Sequence, residues 1–283
     1  MKLSIITVNL NHRKGLEKTR ESIASQTWIE YEWIVVDGGS TDGSKEVFNA
    51  EGLQPKHLLS EPDEGLYDAM NKGLRLAKGE YLQFLNSGDI FENPTILETV
   101  LGSSSHEEDL IYGDYSRLDS EGKQTYIQSP DELSLSLFFR KGLCHQSVFF
   151  KKEFLETVGE YDTRYRIAAD WELMVRSLNM GASSRRIPLS IVHFERGGLS
   201  DQHETTSLAE REMLFKDLLA PAVLKDAQEV VRLQEQNFKL QETERWLESA
   251  QKRSWFRNMS MVSLWSVRKW RGKLFTSQRN DAS

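Results

Sequence analysis

The sequence predicts an α/β fold, a mixed and mostly parallel central sheet flanked by helices, followed by a helical C-terminal extension. Two observations predict it. Short β-branched runs alternate with helical patterns through the first 90 residues, as in successive βαβ units. Polar, acidic and glycine-rich segments recur just past each apolar run, where an open parallel sheet gathers its ligand-binding loops. A length of 283 residues accommodates one large domain with an appendage. Hydrophobic residues at 39% and aromatics at 10% are too abundant for a chain that fails to collapse.

In chain order, strands are predicted at 3–8, 32–37, 56–60 and 80–85. Helices are predicted between them at 13–26, 43–51 and 67–78, the second opened by Ser40 or Thr41 as N-cap and the third closed by Gly79. Beyond residue 110 come strands at 110–113, 144–150 and 187–194 and a helix over 168–179. After Pro221 the sequence turns helical and glutamine-rich, with Leu233, Leu240 and Leu247 at heptad spacing. The chain therefore divides into a domain over 1–220 and a helical extension over 221–283.

Composition narrows the function classes. Cys144 is the only cysteine, so neither an internal disulfide nor a cysteine-based zinc site is available. The N-terminal apolar stretch is too short for a signal-peptide core, and no run of about 18 apolar residues occurs, which points to the cytoplasm. The net charge of −7 is unevenly spread: eight of the 36 basic residues but one of the 43 acids, Asp281, fall in 251–283. The tail is thus +7 and the rest −14, which argues against a domain that grips nucleic-acid backbones. In the tail, Trp255, Trp265 and Trp270 and other apolar residues are interleaved with the cations, a pattern suited to an anionic membrane surface or to docking on an acidic patch of this same domain or on a partner subunit.

Several segments carry chemistry. Asp37-Gly38-Gly39-Ser40-Thr41-Asp42-Gly43 follows a strand and can turn tightly, and its first carboxylate can accept from a nucleobase imide or ribose hydroxyls; the same pattern also makes an ordinary βα turn. Asp63 and Asp68 lie in the next loop and its first helical turn, with Asn71, Lys72 and Arg75 following; the two cations face either a diphosphate or solvent. Asn86-Ser87-Gly88-Asp89 offers hard oxygen ligands of the kind that hold a divalent cation against phosphates. Asp170 opens the 168–179 helix, as a helix cap or as a general base. His145, Gln146 and His193 are polar candidates near strand ends, the last a metal or phosphate contact.

Ser4-Ile-Ile-Thr-Val-Asn9, Trp33-Ile-Val-Val-Asp-Gly-Gly-Ser-Thr-Asp-Gly43, Glu61-Pro-Asp-Glu-Gly-Leu-Tyr-Asp-Ala-Met-Asn-Lys-Gly73 and Phe84-Leu-Asn-Ser-Gly-Asp89 together resemble the family-2 inverting glycosyltransferases of the GT-A fold. They look most like the branch that builds bacterial exopolysaccharides such as colanic acid, over about residues 1–200. The resemblance implies transfer of a sugar, with inversion, from a nucleotide-diphosphate donor to a saccharide or lipid-linked saccharide acceptor. It implies that Thr7, Asn9 and Asp37 hold the nucleoside and that Lys72 lies near the diphosphate. Gly38, Asp63, Asp68, Asn71, Asn86, Ser87, His145 and Gln146 complete the donor site. Asp89 takes the metal position of the family's DxD motif for Mn²⁺ or Mg²⁺, with His193 as a further contact, and Asp170 matches the catalytic base. Asn86 or Ser87 stands where that motif has its other acid.

Two rival classes are weighed. A non-catalytic nucleotide-sugar-binding or scaffold protein would not need both Asp89 and Asp170, and a nucleotidyltransferase would want a glycine-rich phosphate loop that Asn11-His12-Arg13-Lys14 does not supply. The reading adopted is a cytoplasmic glycosyltransferase, peripheral on the inner face of the membrane through its tail, with room for an oligomer.

Overall fold

The computed structural model describes residues 2–49, 51–102, 106–118, 123–140, 142–195 and 203–251; the basic aromatic tail falls outside the described residues. The predicted architecture is present. The strands are β1 Leu3–Asn9, β2 Tyr31–Asp37, β3 His57–Ser60, β4 Tyr81–Phe84, β5 Ile90–Phe91, β6 Leu110–Leu118, β7 Gln124–Ile127, β8 Val148–Lys151 and β9 Ser184–Glu195. The helices are α1 Arg13–Ala24, α2 Leu66–Leu76, α3 Ile96–Leu101, α4 Leu135–Phe138, α5 Lys152–Val158, α6 Ala169–Asn179, α7 Glu204–Leu218 and α8 Pro221–Gln251.

Among the described residues these strands form one sheet, ordered β3-β2-β1-β4-β8-β6-β9-β5 with β7 paired to β6. The pairs β3–β2, β2–β1 and β1–β4 are parallel, and β8 then runs antiparallel to both β4 and β6. Both faces are covered. Ile6, Val8, Ile34 and Val36 pack toward α2 and α6, while Leu3, Ile5, Trp33 and Val35 pack toward α1 and α3. Burial on both sides is why the first strands read as continuous apolar runs instead of alternating ones.

The structure departs from the predicted elements in four places. Residues 43–51 form a 3₁₀ turn over Lys45–Asn49: Gly43 takes φ +86°, and Asp42 draws in the amide and hydroxyl of Ser44. Asp42, not Ser40 or Thr41, makes that cap. Helix α2 leaves helical geometry at Ala77, and Gly79 serves close packing instead, since a Cβ there would lie 2.4 Å from the Ser4 amide nitrogen. The strand predicted from 144 begins only at Val148, because Ser147 turns back onto the Cys144 carbonyl and makes His145–Ser147 a 3₁₀ turn.

Contact clustering divides the chain between Gln228 and Glu229, within α8. In the first unit, Leu224 of α8 packs against the core. In the second, Leu233 and Leu240 are exposed. No described helix is long and apolar enough to cross a membrane.

A methyl group at residue 79 has no room against backbone. Gly79→Ala is expected to cost about 1–3 kcal/mol of unfolding free energy, the usual range for overpacking, as read by urea denaturation. An unchanged midpoint would refute the close approach.

Candidate functional site

The carboxyl ends of β1 and β4, the start of α2, the 145–147 turn, the N-terminus of α6 and one face of α7 enclose a cleft of about 1310 Å³. Asn9, Asp63, Asp68, Asn86, Ser87, Asp89, His145, Gln146 and Asp170 all line it. Residues 89 and 170, far apart in sequence, therefore face one cavity.

Asp170 stands in the first turn of α6. Its Oδ1 accepts from the Tyr67 hydroxyl at 3.0 Å and from the Trp171 amide at 2.9 Å. Its Oδ2 faces Nδ1 of His145 at 3.4 Å, and the other ring nitrogen meets the Asn86 amide at 3.5 Å. Both contacts are satisfied when Nδ1 carries the imidazole proton, which the Asn86 side chain as oriented selects. His145 thereby bridges the Asp170 carboxylate and the 86–89 loop. Tyr67 shares its single hydroxyl proton between Asp170 and the Ile167 carbonyl. Burial first, and the charge of Asp170 second, keep that phenol from ionising.

Asp89 is buried, and its carboxylate accepts from the Asn86 amide and the Gln146 side chain. Burial pushes its pKa up to about 6, against the opposing pull of His145 and Gln146. Beside it, Oδ1 of Asn86 and Oγ of Ser87 are buried with no hydrogen-bond partner. These orphaned oxygens and one carboxylate form an incomplete set of hard donors, which fits a divalent cation whose remaining positions are filled by phosphate oxygens and water. Among the described residues no cluster of three His, Cys, Asp or Glu side chains forms a self-sufficient metal site.

Other predicted site residues do different work. Thr7 is fully buried and does not line the cleft; it donates to the Leu85 carbonyl and accepts from the Trp33 indole, tying β1 to β4. Asp37 lies behind Asn9, accepting from Asn9, the Ser40 amide and the Ser60 hydroxyl. Burial opposes its charge, yet these bonds outweigh burial and hold its pKa below the ordinary carboxylate value. Gly38 lets the Asp63 side chain lie against the backbone, since a Cβ would fall 2.3 Å from its Oδ2 and displace it. Asn71 exchanges both amide groups with the Tyr161 backbone, which explains its burial as a brace. Lys72 does not line the cleft: its Nζ is held by the Pro62 carbonyl, Glu61 and Asp68. His193 is likewise not a lining residue; its Nδ1 lies 2.7 Å from the Ser116 hydroxyl, which also donates to Glu92.

Sequence reasoning missed the cations that do line the cleft: Lys14, Lys18, Arg117, Arg140, Arg166 and Arg211. Lys14 belongs to the basic run Asn11-His12-Arg13-Lys14, set aside for its lack of glycines, and the others, scattered singly along the chain, read as surface charge. Tyr67 was also missed, since a tyrosine in the first turn of a helix whose Ala69 and Met70 are buried reads as core. Cys144 lines the cleft too, but burial pushes its thiol up to about 12, which makes it an ineffective nucleophile.

The fold and this cleft together define a GT-A-like architecture. The profile of "Glycosyl transferase family 2" matches residues 4–151, and the chain belongs to that family. A "PGL/p-HBAD biosynthesis glycosyltransferase" of Mycobacterium tuberculosis is 35% identical over 205 residues, covering 70% of this chain and 78% of the relative. An uncharacterized glycosyltransferase of Nostoc is 26% identical over 235 residues, covering 75% and 73%. Among solved structures, S. aureus TarS in complex with UDP-GlcNAc superposes with a TM-score of 0.61 at 17% identity, covering 80% of this chain and 70% of that one. The protein is a glycosyltransferase, and its structural neighbours carry the GT-A-like fold.

A carboxyl whose folded pKa lies above its unfolded value favours the fold while protonated. The contribution of Asp89 is thus fully present below about pH 4, the unfolded value. It is lost as pH rises through about 6. With EDTA present, wild-type stability should fall relative to Asp89→Asn between pH 4 and 7 in urea titrations. A difference independent of pH would contradict the buried, uncompensated carboxyl.

Proposed function

We propose that this protein transfers a sugar from a nucleotide-diphosphate donor to a hydroxyl of a saccharide acceptor, inverting the anomeric carbon in a single displacement. One observation carries the reading: Asp170 and the Asn86–Asp89 loop line the same cleft and are joined through His145. A single displacement needs its base and its leaving group on opposite faces of the reacting sugar, the stereochemical logic of inverting glycosidases.

Asp170 is the base. Tyr67 and the Trp171 amide occupy Oδ1, leaving Oδ2 to take the acceptor proton, and His145 steadies the carboxylate. Asn9, Asp63 and Gly38 shape the donor end, with Asp37 and Thr7 holding that edge from behind. Asp89, Asn86 Oδ1 and Ser87 Oγ would hold Mn²⁺ or Mg²⁺, which when bound neutralises charge on the departing diphosphate. Lys14, Lys18 and Arg117 add positive charge to the cleft. The crystal structures of TarS with UDP and with UDP-GlcNAc support a UDP-sugar as the donor class to test first.

The acceptor is read as a lipid-linked saccharide in the assembly of a bacterial surface glycoconjugate, an exopolysaccharide in the branch the motifs resemble. Support comes from the basic, tryptophan-bearing tail sequence, which would hold the enzyme at the inner membrane face. The curated mycobacterial relative is likewise named for a glycoconjugate pathway.

Asp170→Asn keeps the shape of the side chain and removes its basicity. Transfer should drop by about 10²–10⁴-fold. UDP affinity, read by calorimetry, should stay within about twofold of wild type. Wild-type turnover in the variant would refute the base assignment. A wild-type protein that binds nucleotide sugars but transfers to no acceptor would instead support a binding or scaffold role.

A further inference from the structure

Three cations in the cleft, Arg140, Arg166 and Arg211, have no part in the reaction as proposed, and one of them is set apart by its surroundings. Arg211, on α7, lays its guanidinium over the Trp171 ring, with its central carbon 3.4 Å from the ring centroid. It makes no hydrogen bond or ion pair to any described residue, and its Nε is buried without a partner. Charged donors left unsatisfied in a partly buried place are costly, so a guanidinium held there without a partner calls for a ligand.

The surroundings are built to hold it. The preceding residue, Glu210, accepts backbone hydrogen bonds from Arg166, Ile167 and Ala168 at 2.9, 2.8 and 2.9 Å, which fastens α7 to the segment entering α6. Trp171 is equally confined: a Cβ on Gly142 would meet the indole at 2.3 Å, and Phe138 packs edge-on with centroids 5.9 Å apart. A fixed platform thus covers one face of the guanidinium, and the side chain lines the cleft.

Location separates the two anions the cleft could serve. The ring that Arg211 covers belongs to the residue that follows Asp170, and the carboxylates of Asp170 and Glu204 act on its charge. In a single displacement the leaving diphosphate departs on the side away from the base. An anion at Arg211 therefore belongs to the attacking molecule.

We propose that Arg211 is an acceptor-binding residue that recognises an oxyanion, phosphate or carboxylate, carried by the acceptor close to the attacking hydroxyl. This rests on reading Asp170 as the base. The planar fork of the guanidinium suits bidentate recognition of either group, and the exposed Arg140 and Arg166 in the same cleft add to the positive field there.

The test is to saturate the protein with UDP and titrate glucose, glucuronic acid and glucose 6-phosphate, following each by saturation-transfer NMR. At least one anionic sugar should bind ten-fold or more tightly than glucose, and which one does so separates carboxylate from phosphate. Arg211→Gln should abolish that preference and leave UDP affinity within about twofold, while Arg211→Lys should retain part of it if the Gln variant proves misfolded. Equal binding of all three sugars by the wild type would overturn the proposal. So would a ten-fold loss of UDP affinity in either variant, which would assign the guanidinium to the leaving diphosphate. None of these measurements depends on turnover, so failure of the base assignment would show separately, as an Asp170→Asn variant that still transfers sugar.

Discussion

The antiparallel insertion of β8 between β4 and β6 is the constraint on which the site depends. Three parallel pairs bring the ends of β1, β2, β3 and β4 to one edge. A fourth parallel strand would have placed its incoming turn at the far edge. Because β8 runs the other way, the turn that precedes it arrives beside the loop that follows β4. The Gln83 side chain donates to the Gln146 carbonyl and fixes that arrival, since a buried amide and a turn carbonyl would otherwise both lack partners. His145 and Gln146 reach Asp89, Asn86 and Asp170 only because of this reversal.

Charge is distributed with similar consequence. A domain with a large acidic excess would repel a nucleoside diphosphate were its cleft typical of its surface. Instead the acids of the donor edge are consumed locally: Asp37 by hydroxyls and an amide, Asp63 by the Gly65 amide, and Asp68 by Lys72 and the Glu64 amide. In the proposed reaction the cations at the donor end, Lys14, Lys18 and Arg117, would then meet the diphosphate with these acids already engaged. Lys72, the cation the motifs single out, contributes indirectly by holding the loop that carries Asp63.

Much of this was legible in the sequence, for identifiable reasons. Strands buried on both faces announce themselves as apolar runs, and turns that need glycine or a local carboxylate announce themselves as Asp-Gly and Asn-Ser-Gly segments. The placement of Asp89 and Asp170 in one cleft was implied by the family resemblance, since from local signals alone Asp170 read equally as a helix cap. Roles that depend on a distant partner were not legible. Thr7, Asn71 and Lys72 have the chemistry of ligand-binding residues, but Trp33, Tyr161 and Glu61 claim them first, and those pairings exist only once the chain has folded. The same limit hid Arg211, whose significance depends on a tryptophan forty residues earlier. The 3₁₀ turn at 45–49 was misread for a different reason: a helix pattern between two glycines is too short to offset the freedom those glycines keep in the unfolded chain.

The hydrogen-bond arrangement around Asp170 bears on how a carboxylate this confined would serve as the base of the proposed reaction. A carboxylate whose oxygens are both firmly bonded is a poor proton acceptor, because each donor stabilises the charged form. Here the short contacts converge on Oδ1, and the single contact to Oδ2, from His145, is long. In the proposed reaction the asymmetry would reserve one oxygen for the incoming hydroxyl and give it a defined direction. It also couples the two ends of the cleft, since His145 answers to Asn86 as well as to Asp170. Anything that engages the Asn86 side chain at the donor end alters the ring's hold on the base. In the proposed reaction, donor binding and readiness of the base would thus be linked through one imidazole.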